Sequence, residues 1–390
     1  MHRTPKQSNG NYYKNNRVQL VNGGKEYFSL LEQLIDAAIH SVHIQTYIFN
    51  IDETGNTIAA ALIKAAKRGI PVYLLVVGYA SRHIPVALIA RMKNAGINFR
   101  FFEPILKSNY FYFGRRLHHK VVVIDAQFAL VGGLNIANRY NDLPNSRAWL
   151  DMAIMVEGEA AAELYHYCYS LWSKEKEPTT LPPYYEKLHH LIPYNEKCSV
   201  RVRRNDWIKA KREIWKTYFC LFNNAMESIT IMCSYFLPGQ ELRKALSKAV
   251  KRGVKVRIIL AGPSDVVFVK HAERYLYNWL LRHHIEIYEY QPTILHAKMA
   301  VVDHHWVTIG SYNINNISAY ASIELNLDIR NKPFANHVQN ELDQIIINDC
   351  IRIKHPNNNV TFPGTLLQRL SYELIRLLLY LFTFYFKQEE

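Results

Sequence analysis

Leu62-Ile63-Lys64-Ala65-Ala66-Lys67-Arg68-Gly69-Ile70-Pro71-Val72 returns as Leu246-Ser247-Lys248-Ala249-Val250-Lys251-Arg252-Gly253-Val254-Lys255-Val256, seven identities in eleven positions at an offset of 184. Each copy reads as a helix closed by glycine and followed by a strand. Outward from this stretch the correspondence continues. The apolar run Val42 to Phe49 matches Ile229 to Phe236, and Ile97 to Pro104 matches Ile285 to Pro292, each β-branched and aromatic enough for a strand. A period near 180 residues is far longer than the roughly 20–50 residues of a solenoid unit, so a whole domain is duplicated.

A second doubled pattern lies downstream in each copy. His118, Lys120 and Asp125 are followed by Gly132-Gly133-Leu134-Asn135, and His296, Lys298 and Asp303 by Gly310-Ser311-Tyr312-Asn313, with every offset the same. The three charged residues alone would match by chance at roughly one position in ten thousand, so two copies at one spacing are not a stray motif. The chain carries two half-sites.

Strands alternating with helices predict an α/β fold of two tandem similar domains, each a mainly parallel β-sheet flanked by helices, with the active site at the pseudo-twofold interface. The apolar runs Val121 to Ile124 and Met299 to Val302 suit central strands buried on both faces. The first domain is expected over 1–185, the second over 186–350, and an amphipathic segment over 351–390. The charged, proline-rich stretch Lys174-Glu175-Lys176-Glu177-Pro178-Thr179-Thr180-Leu181-Pro182-Pro183 marks the connection.

Lys and Arg outnumber Asp and Glu by 47 to 33, leaving +14, which favours an anionic partner such as nucleic acid or an acidic lipid surface. The five cysteines form no CxxC pair and their number is odd, which fits reduced thiols rather than a disulfide framework or a zinc site. The polar stretch from Met1 to Arg17 lacks the apolar core of a signal peptide. From Leu366 to Phe386 the chain is rich in leucine and aromatics. Placed on a helix, Leu366, Leu370, Leu374, Leu377, Leu378 and Leu381 fall on one side, while Gln368, Arg369, Glu373 and Arg376 fall mostly opposite. Such a helix either docks on the core or lies in a membrane interface, and the uninterrupted run Leu377 to Phe386 favours the interface.

Residues two apart on a strand share a face, so His118 with Lys120 and His296 with Lys298 present imidazole and ammonium together. Asp125 and Asp303 lie at odd spacing and end their strands, which predicts a structural role or a supporting one behind the residues that face the site. Asn135 and Asn313 follow a glycine turn that can bring backbone N–H groups and an amide near an anion. Paired histidines, lysines and asparagines across a pseudo-twofold axis suit a phosphodiester. One neutral imidazole attacks phosphorus, the other protonates the departing alkoxide, and the lysines and amides stabilise the developing charge without a metal or other cofactor. The pairs His189-His190, His283-His284 and His304-His305 lack carboxylate or cysteine company and read as loop or surface residues.

At these residues the sequence resembles the phospholipase D superfamily, whose signature is HxKxxxxD followed by a GG or GS turn and Asn. The resemblance runs from about Val18 to Asn348. It implies two halves side by side, a phosphohistidine intermediate, one of His118 and His296 as nucleophile and the other as acid, with His118 the more usual nucleophile, and a carboxylate behind each histidine, Asp151 and Glu324 standing where those are expected. Ser311 joins Asn135 and Asn313 among the supporting residues. Within the superfamily, Thr46-Tyr47-Ile48-Phe49, Val131-Gly132-Gly133-Leu134-Asn135 and the run Asp303 to Asn313 resemble the short bacterial cardiolipin synthases without amino-terminal transmembrane helices. That resemblance implies transfer of a phosphatidyl group to phosphatidylglycerol, with phosphatidylglycerol or phosphatidylethanolamine as donor, at the cytoplasmic face of the bacterial inner membrane. Hydrolysis by a phospholipase or a nuclease is the alternative, and only there is nucleic acid a partner. Gln45 and Val77 stand where relatives often carry Glu and Asp, which implies altered contacts at the entrance. The first half alone carries the insertion Lys107 to Arg116, whose aromatics and arginines suit an interfacial loop on a lipid enzyme or a stacking platform on a nuclease.

Overall fold

A computed structural model of the chain describes residues 12–102, 116–174, 192–206, 209, 211–315, 318, 322–355, 367–375 and 377. The first half runs β1 (Tyr13–Asn22), α1 (Lys25–Ala37), β2 (Val42–Thr46), α2 (Glu53–Lys67), β3 (Val72–Val77), α3 (Val86–Asn94), β4 (Ile97–Phe102), β5 (Arg116–Leu117), β6 (Lys120–Ile124), β7 (Phe128–Gly132), β8 (Met152–Gly158) and α4 (Glu159–Ser173). The second runs β9 (Cys198–Asp206), β10 (Lys211–Arg212), α5 (Glu213–Asn224), β11 (Ser228–Cys233), α6 (Gln240–Lys251), β12 (Lys255–Ala261), α7 (Val267–Arg282), β13 (Glu286–Tyr290), β14 (Lys298–Val302), β15 (Trp306–Gly310), β16 (Ser322–Arg330), α8 (Lys332–Asp349) and β17 (Cys350–Ile353). The boundary expected at 185/186, His189-His190 and residues 107–115 of the insertion lie outside the described residues.

The α/β expectation holds, but within it the sheet is mixed. Within each half, among the described strands, only β2, β3 and β4 in the first, and β11, β12 and β13 in the second, pair in parallel. From β2 the order continues antiparallel through β6, β7, β8 and β1, and from β11 through β14, β15, β16 and β9. β1 pairs with β9 at the centre, so the two half-sheets join into one. The mainly parallel reading fails because β6–β7 and β14–β15 are tight hairpins. Their turns, Asp125-Ala126 and Asp303-His304, have φ of 55 and 53° and of 51 and 49°, closed by Gln127 N donating to Ile124 O and His305 N to Val302 O. That is the backbone sign of a type I′ turn, which usually signals itself by Asn-Gly or Asp-Gly and here carries no glycine.

Each doubly buried strand splits its side chains between two cores. On β3, Leu74 and Val76 face one and Leu75 and Val77 the other. Helices α1, α2 and α3 cover the outer face of the first half with Leu31, Ile35, Ile58 and Leu62, and α5, α6 and α7 cover the second with Ile214, Phe222, Leu246 and Leu280. The inner faces share a single core, in which Val121, Val131 and Ile154 meet Met299, Ile309 and Leu325, together with Leu164 of α4 and Val338 of α8. A shared apolar core of this kind fixes the two halves against each other.

The opening repeat builds the same joint in both halves. Gly69 and Gly253 adopt φ of 86 and 90°, and the paired bonds Gly69 N to Ala66 O with Ile70 N to Ala65 O, and Gly253 N to Val250 O with Val254 N to Ala249 O, make Schellman caps. Arg68 reaches back to the Ile35 and Ala38 carbonyls at the end of α1, as Arg252 does to Phe222 and Ala225 at the end of α5. The motif aspartates act at the same end of the sheet. Asp125 accepts from the backbone N–H of Ile39, His40 and Ser41, and Asp303 from Met226, Glu227 and Ser228, so each carboxylate pins the entry to β2 or β11. Since hydrogen bonds to a charged group contribute about 1.5–3 kcal/mol each and are not additive, Asp125→Ala is expected to destabilise the fold by about 2–4 kcal/mol in denaturant titration. Asp125→Asn, which tolerates the left-handed backbone, should cost less than the alanine variant.

Candidate active site

His118 sits between β5 and β6, and β5 pairs in parallel with β16 of the other half. The N–H groups of His118 and His119 both donate to Ile323 O, at 2.9 and 3.1 Å. In mirror fashion, His296 and Ala297 donate to Leu150 O, at 2.7 and 3.1 Å. The residue after each accepting carbonyl carries the carboxylate. His118 Nδ1 donates to Glu324 Oε2 at 3.0 Å, and His296 Nδ1 donates to Asp151 Oδ2 at 2.6 Å. Each histidine is therefore oriented by the opposite half. With the proton held on Nδ1, Nε2 presents its lone pair away from the carboxylate, as a nucleophile or base requires.

Lys120 and Lys298, buried on β6 and β14, each donate Nζ to the carbonyl of their own histidine. Burial lowers the Lys120 ammonium to about 7, opposed by Glu324 and reinforced by Lys298. Lys298 is lowered too, by burial, with Asp151 opposing. Burial likewise lowers His118, with Glu324 opposing and Lys120 adding to the shift, and takes His296 down to about 3, with Lys298 adding and Asp151 opposing. Burial alone would raise Asp151, but His296 and Lys298 outweigh it and hold the carboxyl below its usual range. Both imidazoles are thus biased to the neutral form beside two cations.

The turns after β7 and β15 answer the difference between Asp and Glu. A Cβ on Gly133 would stand 2.5 Å from both Asp151 carboxylate oxygens, whereas Ser311, its counterpart, donates Oγ to Glu324 Oε2. The motif glycines Gly132 and Gly310 serve strand packing, since a Cβ there would strike backbone of β8 or β16. Asn135 spends its side chain on the protein, accepting from Ile48 N at 3.0 Å and donating to Tyr140 Oη at 2.9 Å. Asn313 accepts from Ser234 Oγ at 2.7 Å, and among the described residues its Nδ2 donates to none. Of the two amides expected near an anion, only the Asn313 Nδ2 is left without a partner among the described residues. Asp125 and Asp303 stand at the far ends of β6 and β14, away from the histidines.

Gln45 and Val77, expected at the entrance, are buried. Gln45 joins β2 to α4, donating to Cys168 O at 2.8 Å and accepting from His119 Nε2 at 2.9 Å, and Val77 lies in the shared core. Several residues around the histidines carried no signal of their own in the sequence. Tyr140 and Trp149 flank the His296 ring at 5.2 and 6.0 Å, and Tyr47 flanks His118 at 5.3 Å. Tyr235 Oη donates to Asp265 at 2.6 Å. Tyr47 and Ser234 occupy matched positions in the repeat, the one signal that could have found them. His283 sits at the end of α7, where Nδ1 donates to Trp279 O, and His304 forms a hairpin turn, as the reading of these pairs as loop residues expected.

The Gly133 and Ser311 contacts predict unequal substitutions. Ser311→Gly removes one hydrogen bond to a buried carboxylate and should lower kcat on a chromogenic phosphodiester by about 10-fold. Gly133→Ser drives an atom into Asp151 and should cost at least about 100-fold by displacing the group that orients His296. Equal losses in the two variants would refute this account.

Residues 31–172 and 218–346 match the family described as "Cardiolipin synthase, PLD-like domain". Cardiolipin synthase B of Salmonella typhi is 33% identical over 348 residues, covering 87% of this chain and 82% of that protein. Cardiolipin synthase B of Escherichia coli K12 is 29% identical over 351 residues, with the same coverage of 87% and 82%. The crystal structure of phosphatidylserine synthase from Haemophilus influenzae Rd KW20 shares the fold, with a TM-score of 0.73 at 15% identity over 95% of each chain. Two intact half-sites, each completed by the other, accord with these matches, and the chain belongs to the cardiolipin synthase family of phospholipase D-like proteins.

Proposed function

We propose that the chain is a cardiolipin synthase-type phosphatidyltransferase acting through a phosphohistidine. The observation that carries the reading is the crossed pair of histidine–carboxylate contacts beside two buried lysines. Below about pH 7, with neutral imidazoles, Lys120 and Lys298 balance Asp151 and Glu324, so the empty site has no net charge. A phosphodiester brings one negative charge between the ammonium groups, which also favours protonation of one histidine.

Following the family resemblance, His118 Nε2 attacks phosphorus of a phosphatidylglycerol, forming a P–N bond as the P–O bond to the headgroup glycerol breaks. His296, protonated, gives its proton to the departing alkoxide. The glycerol hydroxyl of a second phosphatidylglycerol then attacks phosphorus, His296 takes its proton, and the P–N bond breaks to release cardiolipin. The lysines and the Asn313 amide stabilise charge on the non-bridging oxygens. The phospholipid substrates place the protein at a membrane, and its position is read as peripheral on the cytoplasmic face.

Incubation with phosphatidylglycerol vesicles should yield cardiolipin and glycerol in equal amounts, and phosphatidic acid as the main product would favour a hydrolase instead. His118→Ala and His296→Ala should each lose about 100- to 10,000-fold in turnover. With a nitrophenyl leaving group, which needs no acid, His296→Ala should still form the phosphoenzyme while His118→Ala does not. The opposite pattern would exchange their roles. The Lys120 charge is present below about 7 and lost as pH rises through it, so kcat/KM, which reports the free enzyme, should fall with a unit slope on the alkaline side of about 7. A profile flat to pH 9 would show that this charge is dispensable.

A further inference from the structure

The helix 367–375 is turned opposite to an ordinary docked helix. Gln368 and Ser371 are buried, and Tyr372 and Ile375 pack with Leu237, Ala272 and Leu276, the Tyr372 ring lying 4.9 Å from Tyr275 of α7. Its leucines look outward, with Leu367, Leu370, Leu374 and Leu377 at 45, 58, 46 and 52% exposure. Their spacing of three, four and three makes one stripe along the helix. At the start of α7, Val266, Val267 and Phe268 are exposed as well, and Val269, the next residue, packs in the same cluster as Tyr372 and Ile375. The two apolar stretches therefore flank one cluster.

That cluster borders the active site twice. Leu237 N donates to Ile314 O, one residue beyond Asn313, and Asp265, immediately before Val266, accepts from Tyr235. Exposed apolar side chains on both sides of such a cluster call for an apolar phase or a partner to cover them.

We propose that Leu367, Leu370, Leu374 and Leu377, with Val267 and Phe268, form a face that docks on an anionic phospholipid bilayer and holds the site mouth at headgroup level. The proposal rests on the phospholipid reading of the site. Three features select a lipid surface as the occupant. The chain carries +14, Arg369 is exposed on the same helix, and the sequence from Leu378 to Phe386 continues in leucine and aromatics. The amphipathic helix expected from the sequence is docked through Gln368, Ser371, Tyr372 and Ile375, and its leucines are left exposed.

The test compares the full chain with two variants, one combining Leu367→Ser, Leu370→Ser, Leu374→Ser and Leu377→Ser, the other combining Val267→Ser and Phe268→Ser. Co-sedimentation with phosphatidylglycerol vesicles and turnover on those vesicles should both fall by more than about tenfold in the leucine variant, and in the same direction in the other. Turnover of a monomerically dispersed short-chain phosphatidylglycerol and the melting temperature should stay as in the parent. Undiminished sedimentation overturns the proposal, as does a parallel loss of short-chain turnover, which would make the face structural. So does a parent dimer that the variants dissolve while vesicle binding persists, which would make it a contact between copies. Parent protein that binds vesicles through this face yet yields phosphatidic acid upholds the docking and overturns only the transferase reading.

Discussion

Each motif histidine is held by a carboxylate that belongs to the other half, and the rest of the structure depends on that exchange. Neither half alone can hold its imidazole in one tautomer. The bonds that set it span 206 residues for His118 and Glu324, and 145 for His296 and Asp151. They are reinforced by backbone bonds from the same histidines to Ile323 and Leu150, so the backbone approaches first and the carboxylates follow from it. The shared core of inner-face side chains is what keeps this approach fixed. A slip of one half past the other would break both pairs at once, leaving buried carboxylates without partners at a cost of several kcal/mol.

Burying two lysines beside two histidines is unfavourable in an empty protein, and the structure bears that cost at one place only. The carboxylates that orient the imidazoles also neutralise the ammonium groups, which explains why they lie inside the site and not at its rim. One pair of groups meets two requirements. What remains unbalanced is the neutral state imposed on the histidines, and that is relieved when an anion arrives. Affinity for the phosphate and the proton needed for the leaving group thus have the same electrostatic origin.

The repeat made much of this legible. Glycine after a helix, arginine before it and strands of matched length are local signals, and Arg68, Gly69, Arg252 and Gly253 do what their spacing implies. The histidine and lysine pairs on one strand face were legible for the same reason, since parity is a local property. Three things were not. Hairpins closed by Asp125-Ala126 and Asp303-His304 lack the glycine that advertises a type I′ turn, so the sheet read as mainly parallel. Exchange of carboxylates between halves is a long-range contact that no spacing encodes. Gln45 read as an entrance residue because its neighbours in sequence line the site, yet strand alternation turns it inward to His119 and Cys168.

Symmetry of the centre and asymmetry of its surroundings answer to different parts of a transfer reaction. Breaking the first P–O bond and making the second are the same step run in opposite directions, so the acid of one is the base of the other, and a near-symmetric set of groups suffices for both. The leaving glycerol and the glycerol of an incoming phosphatidylglycerol are the same chemical group, and one position opposite the attacking nitrogen can serve each in turn. The phosphatidyl arm is different in kind, being apolar and anchored. Among the described residues, the second half combines an Asn313 Nδ2 without a partner, the Tyr235–Asp265 pair and the leucine-bearing helix 367–375, whereas Asn135 is tied to Ile48 and Tyr140. A duplicated fold that diverged only at its periphery can therefore keep one chemistry while telling its two substrate arms apart.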